Sequence, residues 1–143
     1  MSAHFLLDTN ILSEPLRPRP NEAVLRMLRR HQAELATATL VWHELLFGCY
    51  RLSPSARRVA VEQYLFNVIH PSLLLLVYDE AAAQWHAAER ARLSGLGRTP
   101  TFVDGQIAAI AATQQLTLVT HNSPDFQVFD GLGVVARLNL GAG

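Results

Sequence analysis

Apolar stretches short enough to be strands alternate with stretches of helical spacing, and no junction between them carries a hairpin turn signal. Strands that hairpins do not join must be joined by crossovers, so the alternation restricts the chain to an α/β domain with a mainly parallel sheet. Four to five strands with helices on both faces are expected. With 143 residues, half of them hydrophobic, the chain is long enough for a single core, and no linker, repeat or low-complexity tract divides it. Residues 1–143 are therefore read as one domain.

Phe5 to Asp8 reads as the first strand, followed by a brief helix from Ile11 that the proline-broken PLRPRP cannot continue. Asn21 caps the helix NEAVLRMLRRHQ, in which Val24, Leu25 and Leu28 recur at helical spacing while Arg26, Arg29 and Arg30 lie on another side. Glu34 to Ala38 is a second strand, and Thr39 opens a helix through HELLFGCYRL. Ser53 and Pro54 are expected as N-cap and first-turn proline of the next helix, which His70 and Pro71 stop. LLLLV is the third strand, apolar on both faces as a buried parallel strand would be, and Asp79 caps an alanine-rich helix that Gly95 and Gly97 end. Thr101 leads into the nearly all-apolar helix VDGQIAAIAATQQ, LTLVT is the fourth strand, and VVARLN is an edge strand.

Four acidic residues stand near element ends: Asp8 in LLDTN, Glu44 in LVWHELLFG, Asp104 in FVDGQIAAIA and Asp125 in LVTHNSPDF. In open parallel sheets the functional crevice lies beyond the carboxyl ends of the strands where strand order reverses. Asp8 closes the first strand and Asp125 follows the fourth by a short loop, so the two face one crevice if those strands are neighbours. Each residue has a bland reading when taken singly: Asp8 as a helix N-cap, Asp104 as a first-turn carboxylate on the helix dipole, Asp125 as a turn cap, Glu44 as a solvated helix residue. Gathered together, carboxylates repel one another unless cations lie between them, which reads as a site for hard divalent metals and for metal-assisted phosphodiester hydrolysis.

Composition removes rival chemistries. The formal net charge is zero, so any nucleic-acid contact has to be local, and there is no lysine, which favours bidentate arginine contacts to phosphate. A receiver-type phosphoryl site needs a lysine, and a haloacid-dehalogenase-type phosphatase needs an aspartate where Asn10 stands. The chain has no His-x-x-x-His pair, and its single cysteine, Cys49, rules out an internal disulfide. His121 reads as a loop residue, and Trp42 and Trp85 read as core. The apolar run Leu73 to Tyr78 falls well short of the roughly 20 residues that span a bilayer, and the N-terminus lacks a signal-peptide pattern, so a cytoplasmic protein without membrane contact is expected.

LLDTNILSEPL, the HELLFG helix, DGQIAAIA and LVTHNSPDF, in this order and separation, resemble the PIN-domain ribonucleases, in particular the VapC-type and FitB-like toxins of bacterial toxin–antitoxin modules. The resemblance runs from Phe5 to about Asn139. It implies that Asp8, Glu44 and Asp104 are the acidic metal-site residues, that Asp125 is the fourth and less strictly kept acid, and that Thr120 and Asn122 help hold the acids and the attacking water.

Two Mg2+ or Mn2+ ions about 4 Å apart would then act on the scissile phosphate, with Asp8 and Asp104 as direct ligands and Glu44 and Asp125 completing the site. RNA is the implied substrate, with two arginine patches as candidates for its track, Arg26, Arg29 and Arg30 with His31 on one helix and Arg57 with Arg58 on another, although a run of charge on a helix is more often only a solvated face. The implied partners are a second copy of the chain and a small antitoxin covering the acidic cleft. The alternative is a non-catalytic RNA-binding or protein-interaction module on the same fold, for which Asp8→Asn has no effect.

Overall fold

The structure, a computed structural model, describes residues 3–136. Five strands, β1 (Phe5–Leu7), β2 (Leu35–Ala38), β3 (Leu74–Leu76), β4 (Thr117–Val119) and β5 (Val134–Val135), form one sheet in the order β3-β2-β1-β4-β5. Every pairing is parallel, as the absence of hairpin signals requires. The chain first builds outward from β1 to β2 and β3, then returns to lay β4 on the opposite side of β1. Strand order therefore reverses between β1 and β4, and the crevice of the fold opens at their carboxyl ends.

Eight α-helices are described: α1 (Thr9–Leu12), α2 (Glu22–Arg30), α3 (Thr39–Tyr50), α4 (Ala56–Tyr64), α5 (His70–Ser72), α6 (Glu80–Gly95), α7 (Phe102–Thr113) and α8 (Ser123–Phe126). Side chains set most of their starts: Asn21 accepts from the Ala23 and Val24 N–H groups, Asp79 from Ala82, and Thr101 from Asp104. All four residues of β2 are buried, so both faces of the sheet centre are covered. The core also takes in Ile107 to Ala111 of α7, which is why that helix has no polar side beyond its first turn. Cys49 is free and buried, and Trp42 and Trp85 pack against the core.

Local expectations change at four places. The first short helix begins at Thr9 rather than Ile11, because the Asp8 carboxylate accepts the Thr9 N–H and starts it. The cap of α4 is Ser55, whose hydroxyl accepts from Arg58 N–H; Ser53 and Pro54 lie before the helix. His70 and Pro71 do not end the helical path. Residues Leu65–Ile69 widen into a π-turn closed by His70 N–H on the Leu65 carbonyl, and Pro71 then falls in the first turn of α5, where a missing N–H costs nothing.

β3 lies at the sheet edge, and Leu74 is 56% exposed, so LLLLV is not buried on both faces. An apolar run identifies a strand but not its place in the sheet order. Val134–Val135 is the edge strand expected near the end, while residues 137–139 of that expectation lie outside the described residues.

Candidate active site

Register alone brings the first pair of residues together. Leu7 stands opposite Val119 in the β1–β4 pairing, so the next residues, Asp8 and Thr120, leave the sheet side by side at the switch point. Both are buried. Asp8 Oδ2 accepts a 2.7 Å hydrogen bond from the Thr120 hydroxyl, and Asp8 Oδ1 accepts from the Thr9 N–H at 2.8 Å. The helix-cap reading of Asp8 and its site reading are thus both realised, one by each carboxylate oxygen. Thr120 Oγ1 in turn accepts the Asn122 N–H at 3.0 Å, which orients the hydroxyl proton toward Asp8.

Asp104 comes from the first turn of α7, a helix held tightly against α6 because residue 105 is glycine. A Cβ there would press on the buried His86 imidazole, lying 2.7 Å from its Cδ2. His86 is itself fixed by a 3.0 Å hydrogen bond to the Tyr78 hydroxyl and by the Phe102 ring, 4.9 Å away between centroids. Burial pushes the Asp104 carboxyl above the ordinary aspartate range, and the negative charges of Asp8 and Asp125 push it the same way against an opposing Thr101 hydroxyl. Asp104 and Asp125 line one depression of about 370 Å³ together with Thr101 and Arg98.

Glu44 stands on the exposed side of α3 and approaches from the other flank. It lines one depression with Thr9 and a second with His43 and Val103, the immediate neighbours in sequence of Asp8 and Asp104. Asp104 thus lies within reach of the charges of Asp8 and Asp125, and Glu44 borders them from the other flank. Among the described residues no three His, Cys, Asp or Glu side chains come together in a group that could hold a metal ion.

The donor set nonetheless suits a hard cation. It consists of carboxylate oxygens, one carboxyl is driven toward its neutral form partly by its neighbours' charge, and a cation there relieves that repulsion. An open arrangement of few protein oxygens matches the way Mg2+ keeps several of its own waters.

Two residues that sequence reasoning did not single out tie the crevice loops together. Asn10 Oδ1 accepts the His121 N–H at 3.1 Å, so the DTN triplet holds the segment after β4 as well as starting α1. Glu14, only 3% exposed, accepts the Asn21 N–H at 2.8 Å, and His121 Nε2 lies 3.8 Å from its other oxygen. Those contacts hold the Glu14 carboxyl below its usual range, the Asn21 N–H first among them. The available signal was a second acid closely following Asp8, at the end of the stretch LLDTNILSE.

A sheet of this order with an acidic crevice at its switch point defines the PIN domain. The chain belongs to that family, whose model matches residues 5–132. Among relatives, the toxin FitB of Neisseria gonorrhoeae is 33% identical over 128 residues, covering 87% of this chain and 92% of FitB. The tRNA(fMet)-specific endonuclease VapC of Shigella flexneri is 30% identical over 128 residues, covering 90% of this chain and 93% of that one. The crystal structure of FitAcB from Neisseria gonorrhoeae superposes with a TM-score of 0.84 at 32% identity, covering 91% of this chain and 95% of that chain. Other solved structures of the same fold include a toxin–antitoxin complex, and some are bound to DNA. No helix of the described residues is long and apolar enough to cross a membrane.

Proposed function

We propose that this protein is an endoribonuclease that hydrolyses RNA phosphodiester bonds with Mg2+ or Mn2+, acting as the toxin of a toxin–antitoxin pair. The observation that supports the reading is that Asp104 lies close enough to Asp8, at the β1–β4 switch point, and to Asp125 for their negative charges to push its carboxyl upward. Relatives named as a tRNA(fMet)-specific endonuclease and as a toxin support it. The catalytic domain is taken to extend over the whole chain.

In this mechanism Asp8 is the fixed point. Two donors hold its carboxylate, so its remaining lone pairs face the crevice in one orientation and lose little freedom on binding a cation. Asp8 and Asp104 would hold the cation directly, while Glu44 and Asp125, which are more exposed, would orient the attacking water and accept its proton. When bound, the cation would polarise a phosphoryl oxygen and acidify a water. Thr120 keeps Asp8 in place, and Asn122 fixes the Thr120 hydroxyl through its backbone N–H.

A small antitoxin covering the crevice and a second copy of the chain are the proposed protein partners, in line with the toxin–antitoxin complexes of the same fold. The exposed Phe47 and Tyr50 of α3, beside the crevice, are apolar surface such contacts would bury.

The test is cleavage of total RNA by the purified chain with Mg2+ or Mn2+, beside an EDTA control and an Asp8→Asn, Asp104→Asn double variant. Cuts that need the metal and vanish in the double variant are expected. Parent and double variant behaving alike, with no metal bound by calorimetry, would replace the nuclease with a binding module.

A further inference from the structure

The acidic crevice is bordered on both flanks by depressions that each contain an arginine with an uncommitted guanidinium. On one flank Arg57 shares a depression of about 350 Å³ with Thr9 and Glu44. On the other, Arg98 shares one of about 370 Å³ with Asp104 and Asp125. Asp8 immediately precedes Thr9 of the first depression, and Glu44 of that depression also lines one with Val103, the residue before Asp104 of the second.

Most other arginines near these walls are occupied. Arg92 is forked onto Glu89 at 2.9 Å and also donates to the Val128 carbonyl, Arg58 binds the Leu52 carbonyl and Glu62, and Arg17 pairs with Glu14. Among the described residues, neither Arg57 nor Arg98 has an ion pair or side-chain hydrogen bond, and both are exposed. Arg98 is the more telling, because two carboxylates line its own depression and it pairs with neither.

A polyanion crossing a cluster of carboxylates is repelled by them, so its neighbouring phosphates need cations on either side. A guanidinium with all its donors open is suited to a phosphodiester oxygen pair.

We propose that Arg57 and Arg98 bind the phosphates flanking the scissile one, so that an RNA strand runs from the Glu44 depression across Asp8 to the Asp125 depression. This deepens the nuclease reading and rests on it. The strand's path follows the line Arg57, Asp8, Arg98.

The probe is a fluorescein-labelled single-stranded RNA, titrated with the full chain in EDTA across a salt series, with steady-state cleavage in Mg2+ measured in parallel. Arg57→Gln and Arg98→Gln are each expected to weaken binding about tenfold. Each should also lower the slope of log affinity against log salt by about 0.7, the double variant by about 1.4. Arg57→Lys and Arg98→Lys keep the slope, and Arg29→Gln, on the wall of an apolar pocket lined by Leu25 and Tyr64, leaves it unchanged. Melting temperatures equal to the parent's confirm that the Gln variants fold.

Unchanged slopes in both Gln variants while the parent still cuts RNA would overturn the track, as would loss of antitoxin binding alone with RNA binding intact. A parent that never cuts RNA but shows the expected slope changes would sink the nuclease reading and leave the track standing.

Discussion

The Thr120 hydroxyl donates to Asp8 Oδ2 at 2.7 Å across 112 residues of sequence, inside the protein and at the point where strand order reverses. Thr120→Val keeps the shape and removes the donor. A buried carboxylate left short of a partner costs about 1–3 kcal/mol, and loss of such a supporting contact lowers metal affinity or activity by about 10–100-fold. Thr120→Ser should retain most of both. Chemical denaturation and cleavage rates for the two variants check this, and a Val variant as active as the parent would remove Thr120 from the site.

Asp104 has its carboxyl pushed up, first by burial and then by Asp8 and Asp125. A group whose folded pKa is raised contributes stability that is complete below its unfolded value, about 3.9, and lost as pH rises through the folded value. At neutral pH without divalent metal, Asp104→Asn is therefore expected to melt higher than the parent, with the gap closing near pH 3. Mg2+ or Mn2+ should raise the parent's melting temperature more than the variant's. A variant less stable at neutral pH would mean that the like charges do not govern this residue.

Gly105→Ala drives a methyl group into the His86 ring, which its Tyr78 hydrogen bond and Phe102 contact keep from moving aside. Overpacking of this kind costs about 1–3 kcal/mol. Pairing it with His86→Ser should recover part of the loss, so the two substitutions interact rather than add. Strict additivity in a double-mutant cycle would place the strain elsewhere.

Glu14 is buried with its carboxyl held below the ordinary range, chiefly by the Asn21 N–H. The sign is opposite to that of Asp104: this stability is present above the unfolded pKa, about 4.3, and lost as pH falls through the folded value. Glu14→Gln should lower the melting temperature at pH 7, with the difference from the parent shrinking as the solution is made more acidic than pH 4. A pH-independent difference would assign the loss to packing alone.

The sequence by itself determined the elements and their sense. Alternating apolar and helical stretches without hairpin turns dictated parallel strands, and Asn21, Asp79 and Thr39 marked helix starts that the structure keeps. The motifs around Asp8, Glu44, Asp104 and Asp125 were also legible, because residue type and order are properties of the chain. Only the tertiary structure decided that LLLLV lies at an edge and that β1 and β4 are neighbours, since strand order depends on which faces bury together. Contacts across long separations, such as Thr120 to Asp8 and Asn10 to His121, follow from that order alone. Arg98 carries no local mark in the sequence, and it stands out only because folding places its open guanidinium in one depression with Asp104 and Asp125.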